Sequence, residues 1–237
     1  MPKIYHRLYE AARLDINSAE ILNKNNLHAP SIYHCTQAVE KCLKATLAYY
    51  MMKIEKMPEY DIGKKFSSKE YSHDLQKSYE GIMKSLLSLH VESEVKTENK
   101  KQAREQLQNM VKPPRLDISK TIHHFDKLVD GLYKGYIEII KGNIDDLDEE
   151  LELKKREFLD KEYVRYIIVV MRLSAFLTPL EVFSRYPMND FSYHNITLLN
   201  NAKNKLAINQ ICFMIEDALN RVIDVWRQID YFKKNLK

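Results

Sequence analysis

The sequence predicts an all-α fold. Three observations predict it. Five glycines and seven prolines in 237 residues are too few for the many tight turns of a sandwich or barrel. Apolar residues recur at three- and four-residue intervals through most of the chain, the period of a helix with one buried face. The glycines, Gly63, Gly81, Gly131, Gly135 and Gly142, spell neither G-x-G-x-x-G nor a Walker-type loop, which excludes Rossmann and P-loop nucleotide binding.

Ile4, Leu8, Ala11, Ala12, Ala19 and Leu22 mark a first helix that closes at the run Asn23-Lys24-Asn25-Asn26. Ile32, Cys35, Val39, Cys42, Leu43, Thr46 and Tyr50 mark a second over Ala29 to Met52, with Pro30 in the first turn, where a missing N–H costs nothing. The short turn between them makes an antiparallel hairpin. Lys56 to Ser72 has no periodicity and reads as a loop. Leu75, Tyr79, Ile82, Leu86 and Leu89 then share a helical face behind Ser72 or Asp74 as N-cap. Val91 to Lys112 is mostly charged, with a short helix expected from Lys100 to Val111, and Pro113-Pro114 stops it.

Ile122, Phe125, Val129, Leu132, Tyr136 and Ile139 give a helix ended by Gly142, and Gly131-x-x-x-Gly135 within it suits close helix packing. Residues 144–162 hold nine acidic and four basic side chains around a narrow stripe, as on a solvated helix. Tyr163 to Leu177 is apolar nearly all round, as in a bundle centre, and Pro179 ends or kinks it. Leu199, Ala202, Leu206, Ile211, Ile215, Ala218, Val222 and Ile229 trace a long final helix.

The N-terminal stretch lacks the apolar region of a signal peptide, and Tyr166 to Leu180 contains Arg172 and falls short of a span, so a cytoplasmic protein with no membrane segment is expected. Three cysteines suit a reducing compartment. A net charge of +4 leaves RNA possible without indicating it. Cys35 and Cys42 near His34 lack a second pair at zinc spacing, the acidic run Asp145 to Glu150 lacks a calcium-loop glycine, and no cofactor or metal is expected.

One stretch carries a resemblance. Gln37-Ala38-Val39-Glu40-Lys41 followed by Leu43-Lys44-Ala45 resembles the second helix of the HEPN (higher eukaryotes and prokaryotes nucleotide-binding) domain family. Asp15 and Ala19 ahead of the Asn25–His28 turn, His73-Asp74-Leu75, and Ser184-Arg185-Tyr186-Pro187 before the last helix look like that family's other segments, in order. The resemblance implies a single HEPN-like domain over 1–237, an antiparallel up-and-down helical bundle with a core at 4–90 and 163–230 and a helical insertion at about 91–162. It implies a nucleotide- or RNA-binding module that forms a homodimer and can partner a minimal nucleotidyltransferase in a toxin–antitoxin-type pair.

On a helix Tyr33, Gln37, Glu40 and Lys44 form a polar stripe beside an apolar face, which belongs at the edge of a groove or interface. Under the binding reading Lys41, Lys44, Arg185 and Tyr186 supply contacts to phosphate, supported by Gln37, Glu40 and His73; under the structural reading Glu40 and Lys44 are an i,i+4 ion pair and Arg185 closes a helix end. HEPN ribonucleases resemble one another in an Arg followed after four to six residues by a His. Here Arg115 precedes His123 by seven intervening residues and Arg185 precedes His194 by eight. A proton-transferring His needs fixed reach, so the departure favours a non-catalytic module. The alternatives are a metal-independent endoribonuclease using Arg185 and His194, and a purely structural interaction protein.

Overall fold

The computed structural model describes residues 2–68, 75–94, 100–110, 161–174, 177 and 202–236. Every regular element among them is a helix, as expected of an all-α chain. We number them α1 (Ile4–Lys24), α2 (His28–Lys53), α3 (Glu59–Phe66), α4 (Leu75–Glu94), α5 (Lys100–Met110), α6 (161–174) and α7 (Ala202–Asn235).

The α1–α2 turn is chemically specific. Asn26 adopts the left-handed conformation, φ 62°, which Asn tolerates better than most residues. The Leu27 N–H then donates to the Leu22 carbonyl at 2.9 Å and the Asn26 N–H to the Asn23 carbonyl at 3.0 Å, the two bonds of a Schellman closure. This satisfies carbonyls left over at the end of α1 and reverses the chain, so that α2 returns along α1 with the Ser31 hydroxyl donating to the Ala19 carbonyl at 2.7 Å.

Helix α2 is the central element. Most of its residues are buried, on faces that meet α1, α3, α4 and α7. Cys35 faces Cys212 at 3.8 Å, and the Tyr49 hydroxyl donates to Asp230 at 2.7 Å, so α7 runs parallel to α2. Contacts of Asn23 with Asn209 and of Tyr5 with Trp226 show that α1 and α7 are antiparallel. Helix α6 is also antiparallel to α7: Arg165 pairs with Asp217 at 3.3 Å, and Arg221, itself on Asp217, reaches Glu162 at 2.6 Å. The Tyr166 hydroxyl, fully buried, meets the Thr46 hydroxyl at 2.7 Å and the Cys42 thiol at 3.8 Å, which pins α6 to α2. Burial holds the Tyr166 phenol well above its ordinary value and pushes the Cys42 thiol up to about 12. Near the N-terminus of α1, Tyr5, His6 and Tyr9 pack edge-on against Trp226, which stacks on Tyr49 at 5.0 Å.

The loop expected over Lys56 to Ser72 is corrected by α3. Pro58 sits extended at its N-cap, Glu59 and Asp61 occupy the first turn and Lys64 and Lys65 the last, each sign opposing the helix dipole at its end. Ile62 is its one fully buried anchor. Eight residues with a central glycine are too short to display a period, so the signal lay in the charges at the ends. The neighbouring helix also continues past Leu89, through buried Val91, to Glu94. The final helix extends beyond Ile229 to Asn235. Pro113-Pro114, the helix expected around 119–141, the acidic stretch 144–160 and Pro179 lie outside the described residues.

Candidate functional site

The residues singled out on α2 divide into two ion-pair systems with opposite exposure. Glu40 and Lys44 point to one flank of α2. Their charged atoms are 2.7 Å apart, their side chains are only 6% and 9% exposed, and the ammonium lies 5.8 Å from the centre of the Phe66 ring at the end of α3. The Gln37 amide donates to the other Glu40 oxygen at 3.4 Å. An ammonium held by a carboxylate and roofed by an aromatic ring is part of the packing between α2 and α3.

The second system opens to solvent. Asp15 of α1 receives the Lys41 ammonium on one oxygen and His34 Nδ1 on the other, the latter at 3.0 Å. Asp15 is 13% exposed, whereas His34 and Lys41 are each 30% exposed. Because a carboxylate oxygen accepts, Nδ1 carries the proton and Nε2 faces away on the far side of the ring. Residues 34, 37 and 41 repeat at three and four and so line one stripe of α2, all partly exposed. Asp15 brings α1 against this stripe, and Arg7 of α1 reaches Glu59 of α3 at 2.6 Å. The stripe expected from the sequence, Tyr33, Gln37, Glu40 and Lys44, is thus divided: Glu40 and Lys44 are buried as an ion pair, while Tyr33 and Gln37 stay partly exposed and the part-exposed polar face continues through His34 and Lys41.

Asp15 and His34 belong to this site although the sequence reading gave neither a ligand-facing role. The signal was available: His34, Gln37 and Lys41 share a helical face, and Asp15 sits on the partner helix of a hairpin whose turn was legible. What was missing was the register that places residue 15 opposite both 34 and 41. Of the other residues singled out, His73, Arg115, His123, Arg185, Tyr186 and His194 lie outside the described residues. Cys35 has Cys212 as its neighbour, and its thiol is raised by that contact and by burial. Among the described residues, no group of three or more His, Cys, Asp or Glu side chains is placed to hold a metal ion, and no helix is long and apolar enough to cross a membrane.

Comparison with known proteins gives one match. The family model of the HEPN domain fits residues 5–112, a little under half of the chain. Residues 5–112 are thus similar to the HEPN domain. The HEPN segment holds α1 to α5 and every member of both ion-pair systems; it runs through α5 and ends at residue 112, ahead of Arg185-Tyr186-Pro187. The HEPN domain is an all-α fold and is generally related to nucleotides or RNA. No curated protein matches the chain, and no solved structure does.

Proposed function

We propose that this protein is a nucleotide- or RNA-binding HEPN module with no hydrolytic role, acting as a homodimer and as the partner of a minimal nucleotidyltransferase in a toxin–antitoxin-type pair. The observation that carries the binding reading is the part-exposed stripe His34–Gln37–Lys41 on the central helix of the HEPN segment, where an imidazole and an ammonium are held at fixed positions by one carboxylate. Side chains positioned before a ligand arrives lose less entropy on binding. The non-hydrolytic reading is supported by the Arg-to-His spacings, which exceed those that HEPN ribonucleases share. The partner and the homodimer rest on the family resemblance.

The test is retention of radiolabelled nucleotides and short RNAs by Lys41→Glu/Arg185→Glu. Lys44 is unsuited to charge reversal, since a second carboxylate beside buried Glu40 would unfold the α2–α3 contact. Loss of retention with unchanged helical circular dichroism supports the reading, and full retention in the double variant refutes it. For the pair, co-expression with a minimal nucleotidyltransferase should yield a complex that survives gel filtration.

A further inference from the structure

Three cysteines stand in the chain, and the helices bring two of them together. Cys35 and Cys42 lie seven residues apart on α2, about 10 Å along its axis, which is beyond the span of roughly 7 Å between Cα atoms that a disulfide bridges. The Cys42 thiol meets the Tyr166 hydroxyl instead. Cys35 meets Cys212 of α7, their sulfurs 3.8 Å apart and both residues buried. We infer that Cys35 and Cys212 are a modification site, a dithiol that a peroxide converts to an intramolecular disulfide, and that this bond locks α7 onto α2. The inference stands apart from the binding reading above and uses none of its residues.

Geometry carries the assignment. Closing from 3.8 Å to the roughly 2 Å of an S–S bond moves each sulfur by about 0.9 Å, a displacement that rotation about the two Cα–Cβ bonds supplies. The two helices are held in this register toward the far end of α2, where the Tyr49 hydroxyl donates to Asp230. The step balances with the peroxide as oxidant. One sulfur, as thiolate, attacks a peroxide oxygen; the O–O bond breaks, hydroxide leaves and a sulfenic acid forms. The second sulfur attacks the sulfenic sulfur; the S–S bond forms, the S–O bond breaks, and the departing hydroxide takes the thiol proton as water. Two thiols are thereby oxidised while one hydrogen peroxide is reduced to two waters. Burial sets the pace. Cys35 is 0% exposed, and its contact with Cys212 and its burial hold the thiol well above its ordinary value, so peroxide meets a thiolate when the α2–α7 contact opens and not in the closed state. The product spans 177 positions of sequence and ties α2, inside the segment that fits the HEPN model, to α7 outside it. A closed loop of that length restricts the unfolded chain strongly.

The experiment treats the reduced full chain with hydrogen peroxide, blocks the remaining thiols with iodoacetamide in urea, and maps the tryptic peptides by mass without reduction. Cleavage after Lys41 puts Cys35, Cys42 and Cys212 on three separate peptides. The expected result is a linked pair of the Cys35 and Cys212 peptides, lighter by two hydrogens than their sum, with Cys42 alkylated. Oxidised protein should melt roughly 4–16 °C higher than reduced. Dithiothreitol should reverse the rise, and Cys212→Ala should abolish it. The peptide map is made on wild type, so it decides the assignment even where Cys212→Ala folds poorly. If Cys35 and Cys212 both stay open to alkylation after an exposure that oxidises the urea-unfolded chain, the proposal is overturned. A link through Cys42, a sulfinic acid at either position, or a bond between two chains on a non-reducing gel would overturn it equally, and a confirmed link that leaves the melting temperature unchanged would overturn the lock.

Discussion

Replacing Lys44 with Met tests whether the Glu40–Lys44 pair is a buried structural element. The ammonium leaves, the side-chain volume is nearly kept, and a carboxylate that is 6% exposed loses the charge 2.7 Å away. Breaking a buried pair from one side costs about 3–5 kcal/mol, because the remaining charge stays desolvated. The Gln37 amide still donates to Glu40, which places the expected loss near the lower end, about 3 kcal/mol. For a chain of this size about 1 kcal/mol moves the melting temperature by roughly 2–4 °C, so the variant should melt about 6–12 °C lower. Urea unfolding followed by Trp226 fluorescence is the assay, since Trp226 is the only tryptophan and is 5% exposed. Adding Glu40→Gln removes the stranded charge while keeping polar atoms for Gln37, and the double variant should recover to within about 1 kcal/mol of wild type. A loss below about 1 kcal/mol for Lys44→Met alone would mean the pair is screened by water, and the division between a sealed and an open pair would fail.

Three further outcomes follow from the same contacts. Tyr166→Phe should cost about 1–1.5 kcal/mol in urea unfolding, because Thr46 keeps its own bond to the Cys42 carbonyl at 3.3 Å, and Thr46→Val added to it should cost little more. Stability should fall as pH rises above about 9. Burial raises the Cys42 thiol from 9.0 to about 12 and also raises the Tyr79 and Tyr166 phenols, so the unfolded chain releases these protons first; the stabilisation is complete below the unfolded values and is lost on the way up to the folded ones. Cys42→Ala should therefore reduce the slope of stability against pH by about 1.4 kcal/mol per pH unit between roughly 9 and 12, measured by urea titration in that window. At the α1–α2 turn, Asn26→Ala should destabilise by about 1 kcal/mol while Asn26→Gly should be neutral or slightly stabilising, read from melting temperatures, since only the alanine is strained at φ 62°.

Much of the fold was legible because local chemistry and long-range packing agree along most of this chain. Periodicity located α1, α2, α4 and α7, since each presents enough turns for a stripe to stand out against chance, whereas α5 was expected in a mostly charged run stopped by Pro113-Pro114 and α6 in a stretch apolar nearly all round. It missed α3, eight residues long, where dipole-matched charges and a single buried isoleucine replace a stripe. The Gln-Ala-Val-Glu-Lys run indicated the family, and the match over residues 5–112 agrees.

The site divides differently. By itself the sequence determined that Gln37, Glu40, Lys41 and Lys44 lie close together on one helix, since their spacing dictates it, and that a tight turn brings α1 back against α2. Which of those charges meets water is a property of the neighbours, and it was decided only by tertiary structure: α3 folds over Glu40 and Lys44 with Phe66, while α1 delivers Asp15 to His34 and Lys41 and leaves them half open. The physical reason is that helical spacing sets direction around one axis, whereas exposure and pairing depend on the register between axes, which a one-residue slip of α1 would change by rotating Asp15 through about 100°.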